Sequence, residues 1–106
     1  MKDKRHIKIQ DIQNDNSKDF YSAFREKLKS VEQFPTVYTF KFIIPASEVS
    51  KREIEKIFQH PSTKIQSKDS KTGKYNALTV ETFVNDADDV IAYYQKASSI
   101  EKIILL

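Results

Sequence analysis

The chain of 106 residues (12.4 kDa) carries 18 Lys and Arg against 15 Asp and Glu, a net charge of +3, with one Gly and neither Cys nor Trp. Without Cys there is no disulfide framework, thiolate metal site or Cys nucleophile, and a single Gly excludes both the dinucleotide fingerprint and the phosphate-cradling P-loop. A chain of this mass buries about two-thirds of its surface on folding, enough for one modest core in one domain.

The basic start (Lys2, Lys4, Arg5, Lys8) is followed by polar Gln10, Asp11, Gln13, Asn14, Asp15 and Asn16, not by the apolar run of a signal peptide. The longest apolar stretch, Phe42-Ile43-Ile44-Pro45-Ala46, is far short of the ~20 residues that cross a bilayer. A soluble, cytoplasmic protein is expected. Residues 1–16 read as a mobile polar leader, because Ile7, Ile9 and Ile12 are too loosely spaced for a firm element. Ser17 then has the chemistry of an N-cap, and Phe20, Phe24, Leu28 and Val31 fall on one face of an amphipathic helix over 17–33. Pro35 restricts the chain just beyond it.

From residue 34 onward a second pattern begins. Val37 to Ile44 alternates as a strand, with Tyr38, Phe40, Phe42 and Ile44 toward a core and Val37, Thr39, Lys41 and Ile43 away from it; Pro45 ends it. A helix follows from Ser47 or Ser50 to His60, with the Ser50…Glu53 spacing of a capping box. Its apolar stripe is Ile54, Ile57 and Phe58, flanked by Val49 or Glu53. Lys64 to Ser70 is a weaker strand anchored by Ile65. Lys71-Thr72-Gly73-Lys74 is a turn, and its glycine stands where a short hairpin needs a positive φ. Tyr75 to Val84 alternates again, with Leu78, Val80, Thr82 and Val84 inward and Tyr75, Ala77, Thr79, Glu81 and Phe83 outward. Asn85 or Asp86 caps a further helix whose first turn holds Asp88 and Asp89, where the helix dipole favours negative charge. Its core face is Ala87, Val90, Ile91 and Tyr94, and Ile103 to Leu106 makes a closing strand.

Strand, helix, strand, strand, helix, strand over 34–106 predicts an α+β, ferredoxin-like sandwich. Its four-stranded antiparallel sheet has the order 4-1-3-2, with two helices on one face. The other face is left apolar in part (Val37, Ile43, Tyr75, Phe83), the mark of an interface. The N-terminal stripe of Phe20, Phe24 and Leu28 is expected to pack across that face, on its own sheet or on a second copy.

Candidate sites each have a plain counterpart. Lys64, Lys68, Lys71 and Lys74, with Ser70, Thr72, Gly73 and Tyr75, form a basic hairpin that could meet a phosphate, although lysines also guard an edge strand against stray pairing. The RNA-recognition segment K/R-G-F/Y-G/A-F-V-x-F/Y is not matched by Lys74-Tyr75-Asn76-Ala77-Leu78-Thr79-Val80-Glu81, which lacks the stacking aromatics. Nucleic acid is therefore not the expected partner. Asn85-Asp86-Ala87-Asp88-Asp89 lacks the central Gly and distant Glu of a calcium loop and reads as a helix cap. His60 suits a last helical turn, His6 suits a solvated leader, and Ser70, Thr72 and Tyr75 have no activating base. No catalytic residue, metal or cofactor is expected.

Phe34-Pro35-Thr36-Val37-Tyr38-Thr39-Phe40-Lys41-Phe42-Ile43-Ile44-Pro45, then Ser70 to Tyr75 with the strand Ala77 to Val84, then Ile103-Ile104-Leu105-Leu106, together resemble the YbeD-like family of small, uncharacterised bacterial proteins. Residues 17–33 look like the leading helix of its longer members. The resemblance implies a ferredoxin-like fold similar to the ACT domains that bind amino acids beside metabolic enzymes. Those domains take ligand near a Gly-rich turn after the first strand, where this chain has Pro45-Ala46-Ser47. The expected function is a non-enzymatic regulatory or protein-interaction module with a protein partner or a second copy. A small-molecule sensor is the alternative, and a phosphate or nucleic-acid binder the third.

Overall fold

The computed structural model describes the backbone from residue 18 and side chains from residue 21, both to residue 106. The elements are helix α1 (Lys18–Val31), strand β1 (Thr36–Pro45), helix α2 (Glu48–Ile57), strand β2 (Lys64–Asp69), strand β3 (Tyr75–Val84), helix α3 (Ala87–Ala97) and strand β4 (Ile104–Leu105). The leader expected over 1–16, His6, the Ser17 cap and the side chain of Phe20 lie outside the described residues.

Alternating aromatic and β-branched residues make β1 and β3 the long central pair. They run antiparallel from Thr36 opposite Val84 to Pro45 opposite Tyr75. β2 pairs with the other side of β3, Lys64 opposite Glu81 and Asp69 opposite Asn76. β4 pairs with β1 at Phe42–Leu105 and Ile43–Ile104. The sheet order is β2-β3-β1-β4, which counted from the other edge is β4-β1-β3-β2.

The inward face is a cluster of rings. Phe40, Phe42, Ile44, Leu78, Val80, Thr82 and Val84 are buried on it. Phe58, at the end of α2, sits 5.2 Å from Phe40 and 5.8 Å from Phe42, while Tyr94 of α3 sits 5.1 Å from Phe40. Phe58 also stacks on Tyr93 at 4.6 Å, so α2 and α3 share this side of the sheet. Burial pushes the Tyr94 hydroxyl well above the usual 10.0, and the neighbouring Tyr38, by charge and by hydrogen bond, adds to it.

Helix α1 joins the same layer. Phe24 and Leu28 are buried, the Phe24 ring lies 5.6 Å from Tyr94, and Arg25 Nε donates to Asp88 Oδ1 at 2.6 Å. The expectation that Phe24 and Leu28 cross the outer sheet face is therefore corrected. α3 offers an aromatic ring and a carboxylate to α1, whereas the middle of the outer face carries Thr39, Lys41, Thr79 and Glu81. An apolar helix stripe laid there would strip water from those groups without replacing its hydrogen bonds.

Four smaller expectations also change. Ser47, not Ser50, caps α2: its hydroxyl accepts from the Ser50 N–H at 3.1 Å, and Ser50 is itself buried. The helix ends at Ile57, with the Phe58 N–H closing on the Ile54 carbonyl, short of His60. Val49 is 66% exposed and flanks no core. Ile65, opposite Val80, is 38% exposed, because β2 lies at the sheet margin beyond helices that pack over β1 and β3.

Candidate interaction surface

Residues opposite one another in an antiparallel pair share a face, so the register sorts the outer surface into rows. Lys64, Glu81 and Thr39 form one row; Gln66, Thr79 and Lys41 the next; Lys68, Ala77, Ile43 and Ile104 a third. Tyr75 opposite Pro45 and Phe83 opposite Val37 close the two ends. Val37 is 56% exposed and Tyr75 45%, while Ile43, Phe83 and Ile104 are half-buried. No helix of the described residues lies on this face. Two of the hairpin lysines, Lys64 and Lys68, thus share the outer face with Ile43 and Phe83, the apolar residues named from the sequence. Lys41, which the sequence reading left unremarked as a site, stands among them on a central strand, where guarding an edge is not an explanation for it.

Lys71 and Lys74 project separately, from the turn. The Ser70 N–H donates to the Tyr75 carbonyl (2.9 Å), the Gly73 N–H to the Ser70 carbonyl (3.0 Å) and the Tyr75 N–H to Ser70 Oγ (3.2 Å). The Lys74 N–H reaches Thr72 Oγ1 at 3.4 Å. The hydroxyls of Ser70 and Thr72 therefore hold the hairpin, which leaves the lysine ammonium groups as its outward chemistry. Gly73 has φ +75°, the left-handed region. Gly73→Ala is expected to cost about 1 kcal/mol from backbone strain alone, read as a lower urea midpoint, because an added Cβ meets nothing within 4 Å.

His60 and Ser62 come together in a way their spacing did not reveal. The Ser62 N–H donates to His60 Nδ1 at 3.1 Å, so Nδ1 is the acceptor and Ser62 Oγ, 2.8 Å away, donates to it. The same Oγ accepts from the Phe83 N–H at 2.9 Å, and the imidazole stacks on the Phe83 ring at 5.7 Å. The hydroxyl is a strut between loop and strand, and His60 covers part of Phe83. At the start of α3 the acids are likewise engaged: Asp86 Oδ1 accepts from the Asp89 N–H and Asp89 Oδ2 from the Asn85 N–H. Among the described residues no group of His, Asp and Glu is arranged to hold a metal. None of their helices is long and apolar enough to cross a membrane.

On the helix side, Glu53, Lys56, Ile57, Lys96 and Ser99 line an open groove of about 410 Å³ between α2 and α3.

The fold and this surface define a small α+β protein whose antiparallel sheet bears helices on one side and a mixed apolar and basic face on the other. The chain belongs to DUF493, a family described as proteins of unknown function, which matches residues 29–106. Neither the curated proteins nor the solved structures yield a match.

Proposed function

We propose that this protein is a non-enzymatic regulatory or protein-interaction module working through the outer face of its sheet. The observation that carries the reading is the set of apolar side chains on that face, exposed Val37 and half-buried Ile43, Phe83 and Ile104, with Lys41, Lys64 and Lys68 on the same face. Apolar area supplies the binding and the lysines set orientation. The hydroxyls of Ser62, Ser70 and Thr72, held in structural hydrogen bonds, agree with a protein that binds rather than transforms. The element order of residues 36–105 fits a ferredoxin-like sandwich, and the likeness to YbeD-like, ACT-like proteins of the cytoplasm belongs to the same proposal.

Affinity capture with the full chain tests it. A partner held by the wild type is expected to be lost with the double variant Val37→Glu/Ile43→Glu and kept with Lys56→Glu/Lys96→Glu on the helix side. Retention by the sheet-face variant overturns the reading. The groove between α2 and α3 supports a second reading, a metabolite sensor. A metabolite bound there raises the melting temperature by mass action, and Lys56→Glu/Lys96→Glu removes that rise.

A further inference from the structure

Strand β1 has two edges, and only one of them is fully paired. Along β1 even-numbered residues direct their N–H and C=O toward β3, a ladder that the Ala46 N–H continues by donating to the Lys74 carbonyl at 2.9 Å. Odd-numbered residues therefore point the other way, as the Leu106 N–H shows by donating to the Lys41 carbonyl at 3.0 Å. β4 lies opposite Phe42 and Ile43 alone. Among the described residues no strand runs beside 36–40, so the N–H and C=O groups of Val37 and Thr39 face outward. Among the described residues the Val37 carbonyl receives the hydroxyl of Thr36, at 3.5 Å, and no backbone N–H from a neighbouring strand.

Exposed edges of this kind are templates for another strand, and proteins blunt them with Lys, Pro or bulges. The β2 edge follows that practice with Lys64 and Lys68 on a strand exposed throughout. Thr36-Val37-Tyr38-Thr39-Phe40 does not: it holds no charge and no Pro, and every residue is β-branched or aromatic.

We propose that this edge pairs antiparallel with the same edge of a second copy, about a two-fold axis at Tyr38. The free window is self-complementary. Val37 of each copy faces Thr39 of the other, and each such pair exchanges two hydrogen bonds through the outward groups. Thr36 then meets Phe40 of the other copy, so pairing ends before Lys41, whose carbonyl Leu106 already occupies, and neither β4 is displaced. No like charges meet along the seam. The two-fold stands perpendicular to the sheet, so the outer faces of both copies become one broader surface on the same side. Five paired residues make a small contact, and the association is concentration-dependent.

Light scattering of the full chain from about 10 µM to about 1 mM spans the affinities such a contact reaches. The average mass is expected to rise from 12.4 kDa toward twice that value. Thr39→Pro deletes an outward N–H that the β1–β3 ladder does not use, and Val37→Lys puts a charge on the seam at an exposed position. Each is expected to weaken self-association at least tenfold with the circular dichroism unchanged, while Ile43→Glu on the outer face leaves it intact. A mass constant at the monomer value overturns the proposal. So does a dimer that survives both edge variants, or one abolished only by Ile43→Glu, which places the contact on the sheet face.

Discussion

Phe40→Ala is expected to destabilise the protein by about 3–5 kcal/mol. Its side chain is wholly buried, and its ring meets Tyr38 at 4.8 Å, Phe42 at 6.0 Å, Phe58 at 5.2 Å, Tyr93 at 5.6 Å and Tyr94 at 5.1 Å. Those five neighbours come from β1, from the end of α2 and from α3, so the ring is where the sheet meets both helices. Planar rings pinned by other rings cannot close in on the space that Ala leaves, which places the cost toward the cavity-dominated end of the range. Against a total stability of roughly 5–15 kcal/mol for a domain of this size, the loss is a large fraction. Urea unfolding followed by circular dichroism measures it. Phe40→Leu, which keeps most of the volume, is expected to lose much less. A loss under about 1 kcal/mol for the Ala variant would mean that the ring cluster is not the centre of the core.

Much of this arrangement is written locally in the chain. Tyr75 to Val84 alternates without interruption, and all five even positions, from Asn76 to Val84, are buried. Pro45 closes β1 and Gly73 takes the positive φ of the hairpin, each for a reason confined to one residue. What a stripe or a cap meets is a different matter. Phe24 and Leu28 are visibly one helical face, yet nothing in their spacing distinguishes Tyr94 from the outer sheet as the surface they cover; that depends on residues remote in the chain, Tyr94 against Phe24 and Asp88 against Arg25. Ser47 and Ser50 both have capping chemistry, and the choice falls to Ser47 because its N–H turns back on the Pro45 carbonyl at 2.8 Å. The outer face was legible as Val37, Ile43 and Phe83, because period two needs no partner. The positions of Lys64 and Lys68 in rows with Thr39 and Ile43 needed the β2–β3 register, which the polar β2 residues do not specify on their own. The bond between His60 and Ser62 was hidden because α2 ends earlier than its apolar pattern suggests, which frees residues 58–63 to turn back toward β3.

Phe24→Asp is expected to release α1 from the rest of the fold. Phe24 and Leu28 are the buried anchors of that helix, each contributing about 1.5–3 kcal/mol through burial. A carboxylate at 24 would lie against the Tyr94 ring with no cation supplied, since Arg25 is already engaged by Asp88. The charge pair cannot hold the helix alone, because its side chains are largely exposed and such pairs are worth ~0–1 kcal/mol. Once undocked, a helix of 14 residues is marginal in water and melts. The expected outcome is a loss of about 3 kcal/mol or more, with helical ellipticity falling by the share of α1 while the sheet signal and the aromatic near-ultraviolet signal of Phe40, Phe58 and Tyr93 persist. Phe24→Leu, which stays apolar, should keep both stability and helicity close to those of the wild type. The family match begins at residue 29, after both anchors, so the variant also asks whether the segment from β1 onward stands without this buttress. Unfolding of the whole chain would show that it does not, and unchanged helicity and midpoint would show that α1 is not docked on α3 at all.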